Sequence, residues 1–196
     1  MSAEDSNYRL GFWFALLAAL GFSGKAIFVK LAYGAANVDA VTLLALRLLY
    51  ALPVFVWVAI DAQRKGPALT RRDWLMLSAL GLLGYYGASI LDFLGLQYIT
   101  AGLERLILFT YPTLTVLIGV VFMGKSLSRR EVGALLLSYG GIGLAFAHDL
   151  HLAGEPAAVI LGGVLVFGSS LSYAFYLAGS APAIKRFGAM RFSALA

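Results

Sequence analysis

Six long apolar segments make up most of the chain, and short polar or glycine-containing stretches separate them. A hydrocarbon core of about 30 Å requires roughly 20 residues of helix, and the segments approach or exceed that length. They are continuous runs, without the alternation of apolar and polar residues that membrane β-strands show. The pattern predicts an all-α membrane protein, a polytopic helix bundle with six transmembrane helices near 10–33, 40–60, 74–97, 102–123, 131–148 and 157–180.

Composition identifies lipid as the solvent of this bundle. Hydrophobic residues make up 61% of the chain, charged residues only 13%, and the mean hydropathy is +0.85. Soluble domains carry about 25% charged residues, so a soluble fold of this length could not bury so much apolar surface. The net charge of +5 would suggest a nucleic-acid partner in a soluble protein. Here the loops between spans supply it, and we expect a lipid bilayer and no nucleic acid as partner.

The basic residues follow one sidedness rule. Eleven of the fifteen Lys and Arg residues fall on one side if the spans alternate across the bilayer: Arg9, Arg64, Lys65, Arg71, Arg72, Lys125, Arg129, Arg130, Lys185, Arg186 and Arg191. The connections on the other side, at 37–39, 98–102 and 149–155, contain none. Because short loops rich in Lys and Arg stay in the cytoplasm, both ends are predicted to be cytoplasmic. We therefore expect a multi-pass protein of the inner or plasma membrane, with residues 1–9 as a cytoplasmic tail.

The remaining basic residues, Lys25, Lys30, Arg47 and Arg105, lie inside apolar segments. A charge in lipid costs about 2.5–3.5 kcal/mol on insertion scales, so such residues usually pair or line a wet cavity. Lys30 is close enough to the surface to extend its ammonium into water, whereas Lys25 and Arg47 are too deep for that.

Two acids lie at the same depth, Asp92 and Glu104, so the sequence predicts a polar vestibule accessible from outside. The positive end of the helix dipole could stabilise the negative charge of Glu104 by itself, but Arg105 in the same turn gains no such stabilisation. An Arg47–Asp92 ion pair is the first one expected, either at a binding site or as a purely structural contact.

Two further residues are candidates for a transport pathway. Tyr111 carries a hydroxyl that needs a partner inside a span, and it precedes Pro112. Pro112 removes a backbone hydrogen bond to the carbonyl of Leu108 and favours a kink, so it is a candidate hinge.

The sequence lacks the residue sets that ATP hydrolysis, nucleophilic catalysis and metal binding require. The chain contains no P-loop, no Ser–His or Cys–His set at membrane depth and no cysteine, while His148 and His151 around Asp149 form only a weak metal signal. We therefore expect no enzyme activity, no metal and no cofactor.

The stretch from 80 to 146 resembles the EamA-type members of the drug/metabolite transporter superfamily. The similarity rests on a short turn at 96–102, on Tyr111–Pro112–Thr113, on Met123–Gly124 and on Gly133, Gly140, Gly141 and Ile142. Arg47 matches the basic residue of the family's second helix, and Lys30 that of its first. One position departs: the family commonly has Gly-Glu after the fourth helix, where this chain has Gly124–Lys125. A role for that glutamate is therefore not carried over.

The resemblance implies ten spans built as two inverted five-helix repeats. Residues 10–148 are then the first repeat, and 149–196 an external loop and the truncated start of the second. Residues 163–178 lie over 13–28 with similar small and apolar character, and 190–196 correspond to a stub of a seventh span. On this interpretation the chain is a fragment, or a short product that works as a homo-oligomer.

The implied function is that of a secondary transporter, an exporter or permease, for a small organic metabolite by alternating access. The excess of positive groups favours an anionic or zwitterionic substrate. The candidate substrate-binding residues are Lys25, Arg47, Asp92, Glu104, Arg105 and Tyr111. The alternative is a membrane scaffold or assembly protein that transports nothing and whose buried charges only pair helices.

Overall fold

The computed structural model of the protein describes residues 3–36, 38–124, 128–152 and 155–196. Within these ranges the chain is helical and holds no strand, which confirms the predicted all-α class. Asn37 and Lys125, to which the charge pattern assigns opposite sides of the membrane, lie outside the described residues, as do 153–154 and the side chains of Arg9 and Lys65.

The described chain forms ten α-helices and one π-helical turn. The first span consists of α1 (Ala3–Ser23) and α2 (Lys25–Ala35), and the second of α3 (Ala40–Lys65). The third combines α4 (Arg71–Gly81), the π-helix Leu82–Gly87 and α5 (Ala88–Gly95). The fourth combines α6 (Ala101–Leu108) and α7 (Tyr111–Met123). The fifth and sixth are α8 (Arg129–Leu152) and α9 (Pro156–Phe187), and α10 (Ala189–Leu195) follows.

The described residues contain six helical segments long and apolar enough to cross a bilayer, as predicted. Several extend further than the sequence indicated. Helix α8 continues to Leu152, so Asp149 lies in the helix and not in the turn after it. Its carboxylate accepts a hydrogen bond of 2.8 Å from the Thr100 hydroxyl, which gives the polar end of α8 a partner. Helix α10 occupies the stretch predicted as the start of a seventh span.

The fourth span is interrupted at 109–110, and Pro112 therefore lies in the first turn of α7 and not in a continuous helix. A proline is tolerated there because the first turn has no backbone acceptor for its missing N–H. The carbonyl of Leu108, predicted to lose its helical donor, accepts a hydrogen bond of 3.2 Å from the Ser170 hydroxyl of α9. The break is thus stabilised by a neighbouring helix, which the sequence did not indicate.

Helix α9 is the centre of the bundle. It packs against α5, α6, α7 and the π-helix, and it buries a larger share of its residues than the other spans do. Close approach depends on glycines: a Cβ atom at Gly162 would lie 2.7 Å from a methyl carbon of Ile99 and 3.0 Å from the Gly95 carbonyl oxygen. Small residues commonly allow such close contact between membrane helices. Helix α8 differs, since a Cβ at Gly140 would meet no atom of the described chain within 4 Å.

Two ends of the bundle are distinguished by charge. At one side, the end of α9 meets the start of α4 and α10 meets the end of α3, as hydrogen bonds from Arg186 to Asp73 and from Arg191 to Gln63 show. We call this side the basic end, after its residues Arg64, Arg71, Arg72, Lys185 and Arg186. At the opposite end, α6 begins beside the end of α8.

The packing of α9 predicts unequal effects of two otherwise identical substitutions. Gly162→Ala should lower the stability of the purified protein by about 1–3 kcal/mol, because the added methyl group has no space. Gly140→Ala is the matched control and should leave stability nearly unchanged. Thermal unfolding in detergent measures both, and equal melting temperatures would contradict the described α5–α9 contact.

Candidate functional site

The Lys25 ammonium forms an ion pair with Asp92, which links the start of α2 to α5. The Asp92 side chain is 1% exposed and that of Lys25 is 16% exposed. The sequence had favoured Arg47 as the partner of Asp92, and that expectation was wrong. Lys25 reaches Asp92 because α2 packs against α5, where Ala26 and Val29 share a buried cluster with Phe93.

Glu104 and Arg105 extend this cluster into the fourth span. Glu104 is fully buried, with Oε1 3.8 Å from the Lys25 nitrogen and Oε2 3.3 Å from Nε of Arg105. Arg105 also donates a hydrogen bond of 2.9 Å to the Phe22 carbonyl, and its guanidinium lies over the Phe22 ring at 4.9 Å. Two acids and two bases thus connect the first, third and fourth spans.

The cluster leaves buried acceptor atoms without donors. Oδ1 of Asp92 and both carboxylate oxygens of Glu104 make no hydrogen bond within the described chain. Their stabilisation comes from the nearby cations, which in a medium of low polarity interact more strongly than in water.

A cavity of about 240 Å³ lies beside the ion pair. Residues from five of the six spans line it, and the charged ones are Lys25, Arg47 and Asp92. The other lining residues are aromatic, hydroxylated or small: Phe22, Gly84, Tyr85, Ala88, Ser89, Leu108, Tyr111, Ser169 and Tyr173. This mixture of apolar wall and few polar groups is typical of a small-molecule site.

Arg47 differs from the other cations of this region. Its guanidinium lies over the Phe93 ring at 5.7 Å. Across the described part of the chain it has no carboxylate within 4 Å and donates no hydrogen bond. Its five N–H donors therefore remain available at the cavity.

Tyrosine rings form the part of the cavity wall away from the ion pair. Tyr111 and Tyr173 meet edge to face, with ring centroids 5.0 Å apart. Tyr85 contacts the ring of Tyr176 edge to face at 5.4 Å. Tyr111 thus lies on the cavity wall, and its predicted place beside a transport pathway stays a prediction.

The structure divides the six predicted site residues into two groups. Lys25, Arg47, Asp92 and Tyr111 line the cavity, whereas Glu104 and Arg105 lie behind it and hold Lys25 in place. The sequence analysis missed Ser89 and Ser169. Ser89 could have been predicted, because it shares one helical face with residues 85 and 92, and Asp92 was already a candidate. Ser169 could not have been predicted, because its position depends on how α9 packs.

Comparison with known proteins adds independent information. The EamA-like transporter family matches residues 9–147, which include all the predicted site residues. No solved structure matches the chain significantly.

Curated relatives include two that are named as transporters. The chain is 29% identical to the uncharacterized transporter YcbK of Bacillus subtilis over 206 aligned residues, which cover 97% of this chain and 62% of that protein. A probable transport protein of Saccharomyces cerevisiae is 34% identical over 77 residues, covering 39% of this chain and 21% of that protein. An uncharacterized protein of Pseudomonas aeruginosa is 28% identical over 161 residues, covering 82% and 52%. The chain therefore spans less than two thirds of the length of these relatives.

The buried cluster predicts that removing one cation is costly. Lys25→Met leaves Asp92 without its ion-pair partner and should cost about 3–5 kcal/mol of stability. Lys30→Met, on the same helix but outside the cluster, is the matched control and should cost little. We expect thermal unfolding in detergent to separate the two variants by roughly 10 °C, at about 2–4 °C per kcal/mol. Equal melting points would show that the ion pair contributes nothing.

Proposed function

The chain belongs to the EamA-like transporter family, and we propose that it moves a small organic metabolite across the membrane by alternating access. The family and the transporter-named relatives support a membrane transporter in general, and the cavity supports a small solute. Since the chain spans 62% of YcbK, the proposal concerns the activity of the whole protein to which these residues belong.

The observation that carries the proposal is an arginine with free donors on a cavity wall at membrane depth. Arg47 lies seven residues after Ala40, the first residue of α3, or about 10 Å along the helix. A guanidinium so placed is stabilised if it faces water or an anion. A ligand carboxylate or phosphate satisfies its planar fork of donors better than water does.

The chemistry of the cavity narrows the class of substrate. Lys25 is neutralised by Asp92, so the net positive charge at the wall is that of Arg47. We propose a substrate with one anionic group against Arg47 and a flat or apolar part against the rings of Tyr111 and Tyr173. Asp92 lines the same cavity with the opposite charge, so a zwitterion whose cationic group faces Asp92 also fits.

The cavity also suggests how the helices move. The fourth span is interrupted at 109–110, next to Tyr111 on the wall and to Pro112 in the following turn. We propose that this break is the hinge at which α7 changes its angle to α6. The basic end is proposed to face the cytoplasm of a cell whose inner or plasma membrane holds the protein.

A scaffold without transport activity is the second candidate. It is favoured by the ion pairs of Lys25 with Asp92 and with Glu104, which connect the first, third and fourth spans whatever the cavity does. The transporter and the scaffold predict different effects of replacing Arg47, which lines the cavity and takes no part in those ion pairs.

Replacement of Arg47 tests the transport function. Arg47→Gln should reduce transport of the preferred solute roughly 10- to 100-fold, because a hydrogen-bonded charge contributes about 1.5–3 kcal/mol. Cells expressing each variant would be screened for accumulation or export of a panel of radiolabelled organic acids, zwitterions and amines. Arg129→Gln, at the basic end, is the matched control. Full flux in correctly inserted Arg47→Gln would remove Arg47 from the binding role.

An exchange of charges separates transport from scaffolding. The double variant Lys25→Asp, Asp92→Lys keeps an ion pair and should recover much of the stability lost in Lys25→Met. If the wall binds substrate, transport stays impaired, because the acceptor and the ammonium have changed places. Full recovery of both stability and transport would mean that these charges only pair helices.

A further inference from the structure

An aromatic stack extends from the cavity wall toward the basic end. Tyr173 on the wall stacks on Tyr176 with ring centroids 5.6 Å apart and an interplanar angle of 26°. Tyr176 stacks in turn on Phe192 of α10, at 6.0 Å and 23°. Tyr176 is 7% exposed and Phe192 is 0% exposed, so both rings are buried between the cavity wall and α10. We call Tyr173, Tyr176 and Phe192 the aromatic plug.

The third span holds the plug from the other side. The hydroxyl group of Tyr176 donates to that of Tyr85 at 3.2 Å, and the two rings meet edge to face. Gly84 lies directly against the Tyr176 ring, where a Cβ atom would collide with it. Both residues belong to the π-helix, whose wider turn places Gly84 and Tyr85 between the cavity and the plug.

Polar contacts fix α10 over the plug. Arg191, which precedes Phe192, is 5% exposed. It donates to Oε1 of Gln63 at 2.8 Å and to the Pro67 carbonyl at 2.7 Å. The neighbouring helix α9 is tied to the start of α4 by a contact of 2.8 Å between Arg186 and Asp73. These bonds connect α9 and α10 to the turn between the second and third spans.

The joint between α9 and α10 suits a moving segment. It is the single residue Gly188, with φ at +80°, a region that favours glycine. The hydrogen bonds of Arg191 lie at the basic end. When α10 moves away, water can accept from Arg191 in place of the Gln63 amide and the Pro67 carbonyl. The stack itself buries rings without any covalent or charged link across it.

We propose that the aromatic plug and Arg191 form the gate of the cavity at the basic end, opened when α10 turns away about Gly188. This rests on the alternating access proposed above, because a transporter requires one closed gate in each state. On this proposal, the stacked rings of the described conformation are the gate in its closed state.

The absence of cysteine from the sequence provides a direct test. Ser89→Cys places one thiol on the cavity wall, and Ala68→Cys marks the side on which the basic end lies. A membrane-impermeant maleimide would be applied to vesicles of either orientation. In the parent protein, Ser89→Cys should react slowly from the basic side. Adding Phe192→Ala or Arg191→Gln should raise that rate about 10-fold or more.

Matched controls lie next to the gate residues. Phe175→Ala removes an exposed ring beside Tyr176, and Lys185→Gln removes an exposed charge beside Arg186. Neither should change the rate. If Phe192→Ala fails to insert, Phe192→Leu keeps apolar volume while losing the stack, and a rise of about threefold is expected. Rapid labelling of the parent from the basic side, or the same rate in gate variants and controls, would overturn the proposal.

Labelling requires no substrate, so the gate and the transport function can fail separately. Faster labelling in the gate variants without any transported solute would support a gated cavity and contradict transport. Transport with unchanged labelling would locate the gate elsewhere.

Discussion

The ion pair of Lys25 with Asp92 is the contact on which the arrangement around the cavity depends. Asp92 is almost fully buried in a helix that lies at membrane depth, and an isolated carboxylate there is strongly disfavoured. Its pairing with Lys25 fixes α2 against α5, and Glu104 and Arg105 add the start of the fourth span. Three spans are therefore held in register by charges that have few other partners within the lipid.

This pairing also decides which charge remains for a ligand. Because Lys25 is occupied by Asp92, Arg47 is left on the wall with unused donors beside the ring of Phe93. The backbone irregularities occur at the same place. Tyr85 lies in the π-helix, and Tyr111 follows the break at 109–110. Irregular backbone at membrane depth is tolerated where it lines a cavity or is covered by protein, and broken helices carry the sites of many transporters.

The sequence predicted the helical class and the number of spans because apolar length is a local property that a bilayer selects directly. It also placed Lys25, Arg47 and Asp92 at one depth, since depth follows from position along a span. It chose the wrong partner for Asp92, because the cation that reaches this carboxylate is decided by how α2 packs against α5. The aromatic plug and the contact of Ser170 with Leu108 could not be predicted from the sequence, since both depend on how α9 and α10 pack against distant helices.

The most direct measurement of the central claim, that Arg47 binds the anionic group of a substrate in this cavity, is ligand-induced stabilisation of the purified protein. A ligand that binds only the folded state raises its melting temperature with concentration. The account predicts that some small organic anion or zwitterion stabilises the unsubstituted protein and has no such effect on Arg47→Gln, while Arg129→Gln responds normally. Equal stabilisation of the unsubstituted protein and Arg47→Gln, or stabilisation by organic cations alone, would contradict it.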